Sequence, residues 1–364
     1  MDDRTQSQIE QAIAAFARGE IVVVTDDDDR ENEGDLFVAG SLCTPEKMAF
    51  IVRHTSGIVC APVSLEQARR LHLDPMVAAN DAPLGTAFTV SVDVKHGLTT
   101  GISGEERSNT VRAIANPNMG ASDFVRPGHV FPLIAREGGV LMRSGHTEAC
   151  VDLCKLAGLP PAGVLAELVN DDGTVKRGAE VAAFAKQHKL PQISIADLIA
   201  WRQAREKLVE RVAAFPVKSE IGELNGYAFV TPFDAVHHMA FVYGKLGDGK
   251  NILARLHRAN VVTDVFGDRK SIHRSLARFK EAGRGVLVYL RDGTAGVPVT
   301  VPDREPATPT AAARERQWRE IGLGAQILRD LGISSIRLLA SRERTYVGLS
   351  GFGIEIVATE TLDG

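Results

Sequence analysis

One junction near the N-terminus restricts the fold more than any other feature. Ile21-Val22-Val23-Val24 runs almost directly into Asp26-Asp27-Asp28-Asp29-Arg30-Glu31-Asn32-Glu33-Gly34-Asp35. Four successive β-branched residues fit a pleated strand covered on both faces, the environment of a sheet packed between helices. Seven carboxylates in the following ten residues cannot continue into that interior, so the chain must leave the sheet as a loop. Strand ends in α/β sheets are where ligands gather. Arg30 offers a planar fork for a phosphate or sugar oxygen, and the surrounding carboxylates are oxygen donors of the kind Mg²⁺ takes with several waters. The spacing does not match the Asp-x-Asp-x-Asp-Gly loop of a calcium EF-hand. A purely solvated charged loop is the plain alternative.

Helical and strand signals alternate around this junction. Gln8–Phe16 is helical and closed by Gly19, Thr44-Pro45 opens a helix, and Ser64 and Ser103 each begin a capping box. Thr86–Asp93 alternates as a strand, Thr147–Leu156 is a helix ended by Gly158, Asn170–Gly173 turns a hairpin, and Ser194 caps a helix through Trp201. With 364 residues the chain exceeds the roughly 100–200 of one domain. The pattern changes at 203–219, where a charged helical stretch, Gln203–Ala214, is stopped by Pro216. Beyond it come strands at Tyr227–Thr231, Met239–Tyr243 and Gly285–Leu290, a helix at Ser271–Ala282, a Pro-rich loop at Thr294–Pro309 and a helix at Arg316–Leu331 closed by Gly332. The expected organisation is a first domain at 1–203, a linker at 204–219 and a second domain at 220–364. Both are α/β. The first is a mixed sheet flanked by helices (an α+β sandwich), and the second an open α/β domain. No repeat period is present.

Composition narrows the function classes. A net charge of −4 gives no general attraction to nucleic acid or anionic lipid, and no apolar run approaches a membrane span. The polar, acidic start Met1-Asp2-Asp3-Arg4 is unlike a signal peptide. Cys43, Cys60, Cys150 and Cys154 form no Cys-x-x-Cys pair and read as reduced, packed thiols. The expectation is a cytoplasmic protein with neither nucleic-acid nor membrane partners.

Two histidines stand in similar surroundings 17 residues apart: Arg126-Pro127-Gly128-His129 and Arg143-Ser144-Gly145-His146-Thr147-Glu148. His146 falls at a helix start, where exposed N–H groups favour anions such as phosphate. A satisfied structural histidine is the plain reading of either one alone.

Taken together, these segments resemble 3,4-dihydroxy-2-butanone 4-phosphate synthase over roughly residues 5–203. The resemblance is carried by Asp29–Asp35, Gly97-Leu98-Thr99-Thr100-Gly101-Ile102-Ser103, Arg126–His129, Gly145–Glu148 and Glu167-Leu168-Val169-Asn170-Asp171-Asp172-Gly173. It implies conversion of ribulose 5-phosphate to the four-carbon phosphate and formate, with Mg²⁺ or Mn²⁺. It also implies Glu31 and His146 as metal ligands. Arg30, Glu31, Asp35, Arg143, Gly145, His146, Thr147 and Glu167 would hold substrate, and His129 and Glu167 would be indispensable to the chemistry. The substrate hydroxyls would further account for Thr99 and Thr100. Asp29, Glu33 and Asp35 all remain open as general bases. A homodimer with its site at the subunit boundary is implied as well. A metal-using sugar-phosphate sensor is the non-enzymatic alternative.

Residues 220–364 resemble GTP cyclohydrolase II at Ala254–His257, Asp264–Gly267, Gly283–Arg291, Gly322–Leu328 and Gly348–Ile354. Where that family carries three zinc-binding cysteines, this chain has Asn260, Ser271 and His273, a set too poor to hold catalytic zinc. The phosphate-contacting loop after Arg291 is replaced by Asp292–Pro298, and a family Asp-x-Arg becomes Gln317-Trp318-Arg319. The expectation is a degenerate second domain without zinc or cyclohydrolase activity, kept for packing or dimerisation. A nucleotide- or flavin-sensing module using Arg284, Arg291 and Arg319, or a bifunctional enzyme with the second activity intact, are the alternatives.

Overall fold

The computed structural model describes residues 3–26, 32–80, 82, 85–207, 209–232, 234–267, 269–291, 322–340 and 354–362. The chain divides into two compact units, at Met1–Trp201 and Arg202–Gly364.

In chain order the first unit contains α1 (Asp3–Ala17), β1 (Val22–Thr25), β2 (Gly34–Ala39), α2 (Pro45–His54), β3 (Cys60–Val63), α3 (Leu65–Arg70), β4 (Val92–Val94) and α4 (Gly104–Ala115). It continues with β5 (Phe124–Ile134), α5 (His146–Leu156), β6 (Gly163–Glu167), α6 (Ala179–His188), β7 (Gln192–Ser194) and α7 (Ile195–Arg205), the last ending just past the unit boundary. Seven strands form one sheet in the order β4-β5-β3-β6-β2-β1-β7. β1–β7 and β3–β5 are parallel and the remaining pairs antiparallel, so the sheet is mixed as expected. β1 is buried, as its β-branched composition requires. One face of the sheet is a continuous apolar core in which Val23, Leu36, Val38, Val59, Ala61 and Val164 meet Ile51, Ile114 and Val181 from α2, α4 and α6. Alternation along the strands leaves Asp35, Phe37, Leu165 and Glu167 on the opposite face, toward α5. The helix starts follow the caps: Thr44, Ser64 and Ser194 accept from the third residue on, and Ser103 with Glu106 closes a full capping box.

Two readings change here. The alternating run at 86–93 pairs only through single bridges at Phe88 and Thr89, and regular strand is confined to Val92–Val94. α6 is an element beyond those expected, and it buries Val181, Phe184 and Ala185.

The second unit contains β8 (Glu210–Ser219), β9 (Gly222–Thr231), β10 (Asp234–Tyr243), β11 (Ile252–Arg258), α8 (Lys270–Ala282), β12 (Gly285–Leu290), a helix α9 over residues 322–330, β13 (Ser335–Ala340) and β14 (Glu355–Thr361). The sheet order is β14-β13-β11-β12-β10-β9-β8, parallel from β14 to β12 and antiparallel from there to β8. The expected helix at Gln203–Ala214 and the linker at 204–219 are both corrected. α7 stops at Arg205, and Glu210–Ser219 is a strand paired along its length with β9. Charge suggested a solvated helix. The alternation of Arg211, Ala213 and Phe215 instead serves an edge strand, where Pro216 is tolerated because one side of the ladder is open. The Thr294–Pro309 loop and the first part of the Arg316–Leu331 helix lie outside the described residues, while 322–330 is helical as expected. Among the described residues no helix is long and apolar enough to cross a membrane.

Candidate active site

The acidic run proves to be the connection between antiparallel strands β1 and β2. Its ends are tied, since the Asp26 N–H donates to the Glu33 carbonyl at 3.3 Å and the Glu33 N–H donates to Asp26 Oδ1 at 2.9 Å. Arg30 and Glu31, the expected substrate and metal residues of this loop, lie outside the described residues, as does Asp29. Asp35, just beyond it, is directly opposite Glu167 across β2 and β6. Directly opposed residues point to the same face, so the ladder itself brings two carboxylates together.

α5 supplies the third group. His146 is its first residue, with Nε2 3.9 Å from Asp35 Oδ1 and its ring edge-on to Phe37 at 6.0 Å. Asp35 and His146 are both buried, at 1% and 8% exposure. They open on a cavity of about 110 Å³ lined by Glu33, Asp35, Thr86, Arg143, His146, Thr147 and Glu167, with Cys60, Phe88, Leu133 and Leu165 as its apolar wall. The expected residues Asp35, Arg143, His146, Thr147 and Glu167 therefore share one pocket. Gly145 sits at the helix N-cap, and a side chain there would collide with Arg143 and Glu148.

Three contacts in this pocket have no linear signal. Ser56 Oγ donates to Glu167 Oε2 at 2.8 Å, holding the carboxylate from a loop 111 residues away. Arg143 Nη1 donates to Glu148 Oε2 at 2.7 Å, both groups buried, and Glu148 Oε1 accepts the Arg136 N–H at 3.0 Å. Glu148 belonged to a quoted motif but carried no assigned role. Burial, then the charges of Glu167 and Asp35, push the Cys60 thiol well above its ordinary range, so it lines the wall as a neutral apolar group.

His129 is placed differently. Register on β4 and β5 jumps from Val92 opposite Val130 to Asp93 opposite Val125, so residues 126–129 arch out of the ladder as a long bulge. Gly128 is required in that arch because a Cβ would overlap the Val92 backbone. His129 does not line the cavity. Leu165 is opposite Cys60 and Cys60 opposite Phe131, so β3 runs between the strands that carry His129 and Glu167. Thr99 and Thr100, expected at substrate hydroxyls, instead bond to Glu106: Thr99 donates through its N–H at 2.7 Å and its hydroxyl at 2.8 Å. The Thr99 N–H, then the Gly101 N–H and the Thr99 hydroxyl, hold the Glu106 carboxyl far below its usual range.

The second unit bears on its expected zinc loss. The Asn260 side chain accepts from the N–H groups of Val262 and Thr263, Ser271 Oγ accepts from Arg255 at 3.1 Å, and His273 pairs with Glu220 at 2.6 Å. Asp264 is the centre of a separate network: His257 Nε2 lies 3.0 Å from Oδ2, which also accepts the Tyr289 hydroxyl and the Asn260 N–H, both at 2.8 Å. Burial lowers the pKa of His257 and outweighs the opposing pull of Asp264. Arg284, considered for phosphate, donates to the carbonyls of Leu246 and Lys250, while Arg319 lies outside the described residues. Among the described residues no group of three or more His, Cys, Asp or Glu is arranged to hold a metal.

Comparison with known proteins agrees with this division. Residues 10–201 match the family of 3,4-dihydroxy-2-butanone 4-phosphate synthase, and residues 210–361 match GTP cyclohydrolase II. The bifunctional riboflavin biosynthesis protein RIBA 1, chloroplastic, of Arabidopsis thaliana is 45% identical over 96% of this chain and 68% of its own length. The monofunctional riboflavin biosynthesis protein RIBA 2, chloroplastic, of the same plant is 46% identical over 96% of this chain and 76% of its own. Among solved structures, RibBX, a two-domain 3,4-dihydroxy-2-butanone 4-phosphate synthase from A. baumannii, is similar with a TM-score of 0.79 and 37% identity, covering 97% of this chain and 99% of that one. A 3,4-dihydroxy-2-butanone 4-phosphate synthase in complex with two magnesium ions is similar with a TM-score of 0.52 and 48% identity, covering 53% of this chain and 94% of that one.

Proposed function

Because the chain belongs to the 3,4-dihydroxy-2-butanone 4-phosphate synthase family, with a GTP cyclohydrolase II domain fused behind it, we propose that its first unit converts D-ribulose 5-phosphate to 3,4-dihydroxy-2-butanone 4-phosphate and formate for riboflavin biosynthesis. The observation that carries this reading is the convergence of Asp35, Glu167 and His146 on one small pocket. The donor set, an imidazole among carboxylates, suits a hard divalent ion. Glu31 and His146 would hold Mg²⁺ or Mn²⁺, which supplies positive charge where oxygen anions develop on the sugar.

The chain's own groups account for the rest. The reaction would open with loss of a proton beside the ketone, to an enediolate, and Glu167 and Asp35 would accept and return protons. Thr147 and the N–H groups at the start of α5, with Arg30 and Arg143, would meet the phosphate. After the carbon skeleton rearranges, attack by water releases one carbon as formate, and His129 serves a proton transfer in this sequence.

A cytoplasmic homodimer is part of the proposal. His129 has its side chain 41% exposed, and Ile102, next to the Gly101 that packs on His129, is 54% exposed, with Ile58 at 52%. Apolar residues around an acid–base group are a surface that a second copy would cover. The second unit, lacking the three cysteines, acts as a structural or regulatory partner without zinc or GTP hydrolysis. Formate release from ribulose 5-phosphate by the full chain, abolished by EDTA and restored by Mg²⁺, tests the first part. Formate and a pyrimidine product from GTP, or stoichiometric zinc by mass spectrometry, would overturn the second.

A further inference from the structure

Two helices of the first unit end on the same pattern, Phe-x-x-x-His: Phe50 and His54 close α2, and Phe184 and His188 close α6. A spacing of four puts each pair on one helix face, and the two faces meet. His54 and His188 have ring centres 5.1 Å apart. Phe50 lies 4.5 Å from His54 and 5.2 Å from His188, while Phe184 lies 5.3 Å and 4.4 Å from the same two rings. The four rings clasp the two helix ends together, and they are not among the residues lining the pocket. The charged groups facing His54 are Arg53 beside it, His188 on α6, and Asp171 and Lys176 on the turn after β6. Exposed Lys186 and Lys189 flank His188. Burial, then the charge of His188, holds the His54 pKa below its ordinary value against the opposing pull of Asp171.

Main-chain contacts join this clasp to the pocket. The His54 carbonyl accepts the Val169 N–H at 3.2 Å, and Thr55 is bridged to Leu168. Ser56 then donates its N–H to the Glu167 carbonyl at 2.9 Å and its hydroxyl to Glu167 Oε2 at 2.8 Å. The three residues that leave the clasp are therefore laid along the three that begin with Glu167. Resting on the reading that Glu167 moves protons, we propose that the four-ring clasp is an acid-sensitive switch on Glu167, closed while at most one imidazole is charged and open when both are. One imidazolium is accommodated against aromatic faces. Two of them at this separation repel, so the second proton is taken up only as the helix ends part. Parting draws His54, Thr55 and Ser56 away from the end of β6, and the Glu167 carboxylate loses the hydroxyl that orients it.

The experiment uses the full chain with Mg²⁺ and the variant His188→Gln, which keeps a polar side chain at the helix end and removes the second charge. Histidine NMR titration between about pH 5 and pH 8 gives a readout independent of turnover. The His54 midpoint is expected to lie higher in the variant than in the parent. Formate release by the variant is expected to be within about twofold of the parent at about pH 8 and at least about threefold above it at about pH 5.5. A His54 midpoint that stays or falls, or activities that decline in parallel toward the lower pH, overturns the proposal. If His188→Gln does not fold, the parent decides: mutually broadened titrations of His54 and His188 support the switch, and two independent single-site curves overturn it. A parent enzyme inert toward ribulose 5-phosphate at every pH would sink the functional reading, and the same titrations would still decide whether the two imidazoles are coupled.

Discussion

Glu148→Gln isolates the buried ion pair beneath the substrate pocket. Arg143 and Glu148 are 8% and 1% exposed by side chain, with 2.7 Å between Nη1 and Oε2, so water screens them little. Unit charges about 4 Å apart at an effective dielectric of about 20 attract by roughly 4 kcal/mol. Glutamine keeps the volume and one acceptor, but it removes the charge and turns an amide toward the Arg136 N–H that Oε1 now accepts. The relieved desolvation of Glu148 offsets part of the loss. The net falls at the lower end of the range for unpairing a buried charge, about 3 kcal/mol. In a unit of this size each kcal/mol lowers Tm by about 2–4 °C, which gives a fall of roughly 6–12 °C. Differential scanning calorimetry of the full chain measures it. The relevant transition is the one raised by Mg²⁺ and ribulose 5-phosphate, since a ligand stabilises the unit that binds it. A shift below about 2 °C would refute the reasoning. It would show that Glu148 does not hold Arg143 and leave the arginine wholly available to phosphate.

Two further expectations follow. His129→Ala and Glu167→Gln should each keep the parental circular dichroism and lose formate release, and a reassorted mixture of the two should regain about a quarter of the parental activity if the site joins two subunits; a mixture as silent as its components would place the whole site in one chain. In the second unit, the folded pKa of His257 lies below 6.5, so just under that pH the unfolded chain binds more protons. Stability of that unit should be full above pH 6.5 and decline as pH falls through the folded value, and His257→Gln should flatten the slope of urea midpoints across pH 5–7; an unchanged slope would remove His257 as its source.

What could be read in the linear chain was governed by local physics. β1 and the capped starts of α2, α3 and α4 depend on neighbours within a few residues, and all are present. Asp35, His146 and Glu167 were visible through their motifs, but their meeting depends on the β2–β6 register, which no spacing encodes. Ser56 escaped because it acts on a residue 111 positions away. Thr99 and Thr100 misled in the opposite sense: hydroxyls suited to a sugar were already committed to Glu106, seven and six residues on. The helix expected over Gln203–Ala214 failed because charge periodicity alone does not separate a solvated helix from the rim of a sheet.

That rim, β8, has a practical consequence for taking the molecule apart. Val212 and Phe215 face solvent, while Glu210, Arg211, Lys218 and Pro216 make the strand a poor template for a passing chain. A fragment begun at residue 220 would discard this guard and leave β9 as the new margin, its backbone donors and acceptors suddenly unmatched and its buried Leu224 and Phe229 near the surface. Such a fragment would be expected to clump for reasons unrelated to its biological role. Dissection should cut before Glu210, so that insolubility is not mistaken for dependence on the first unit.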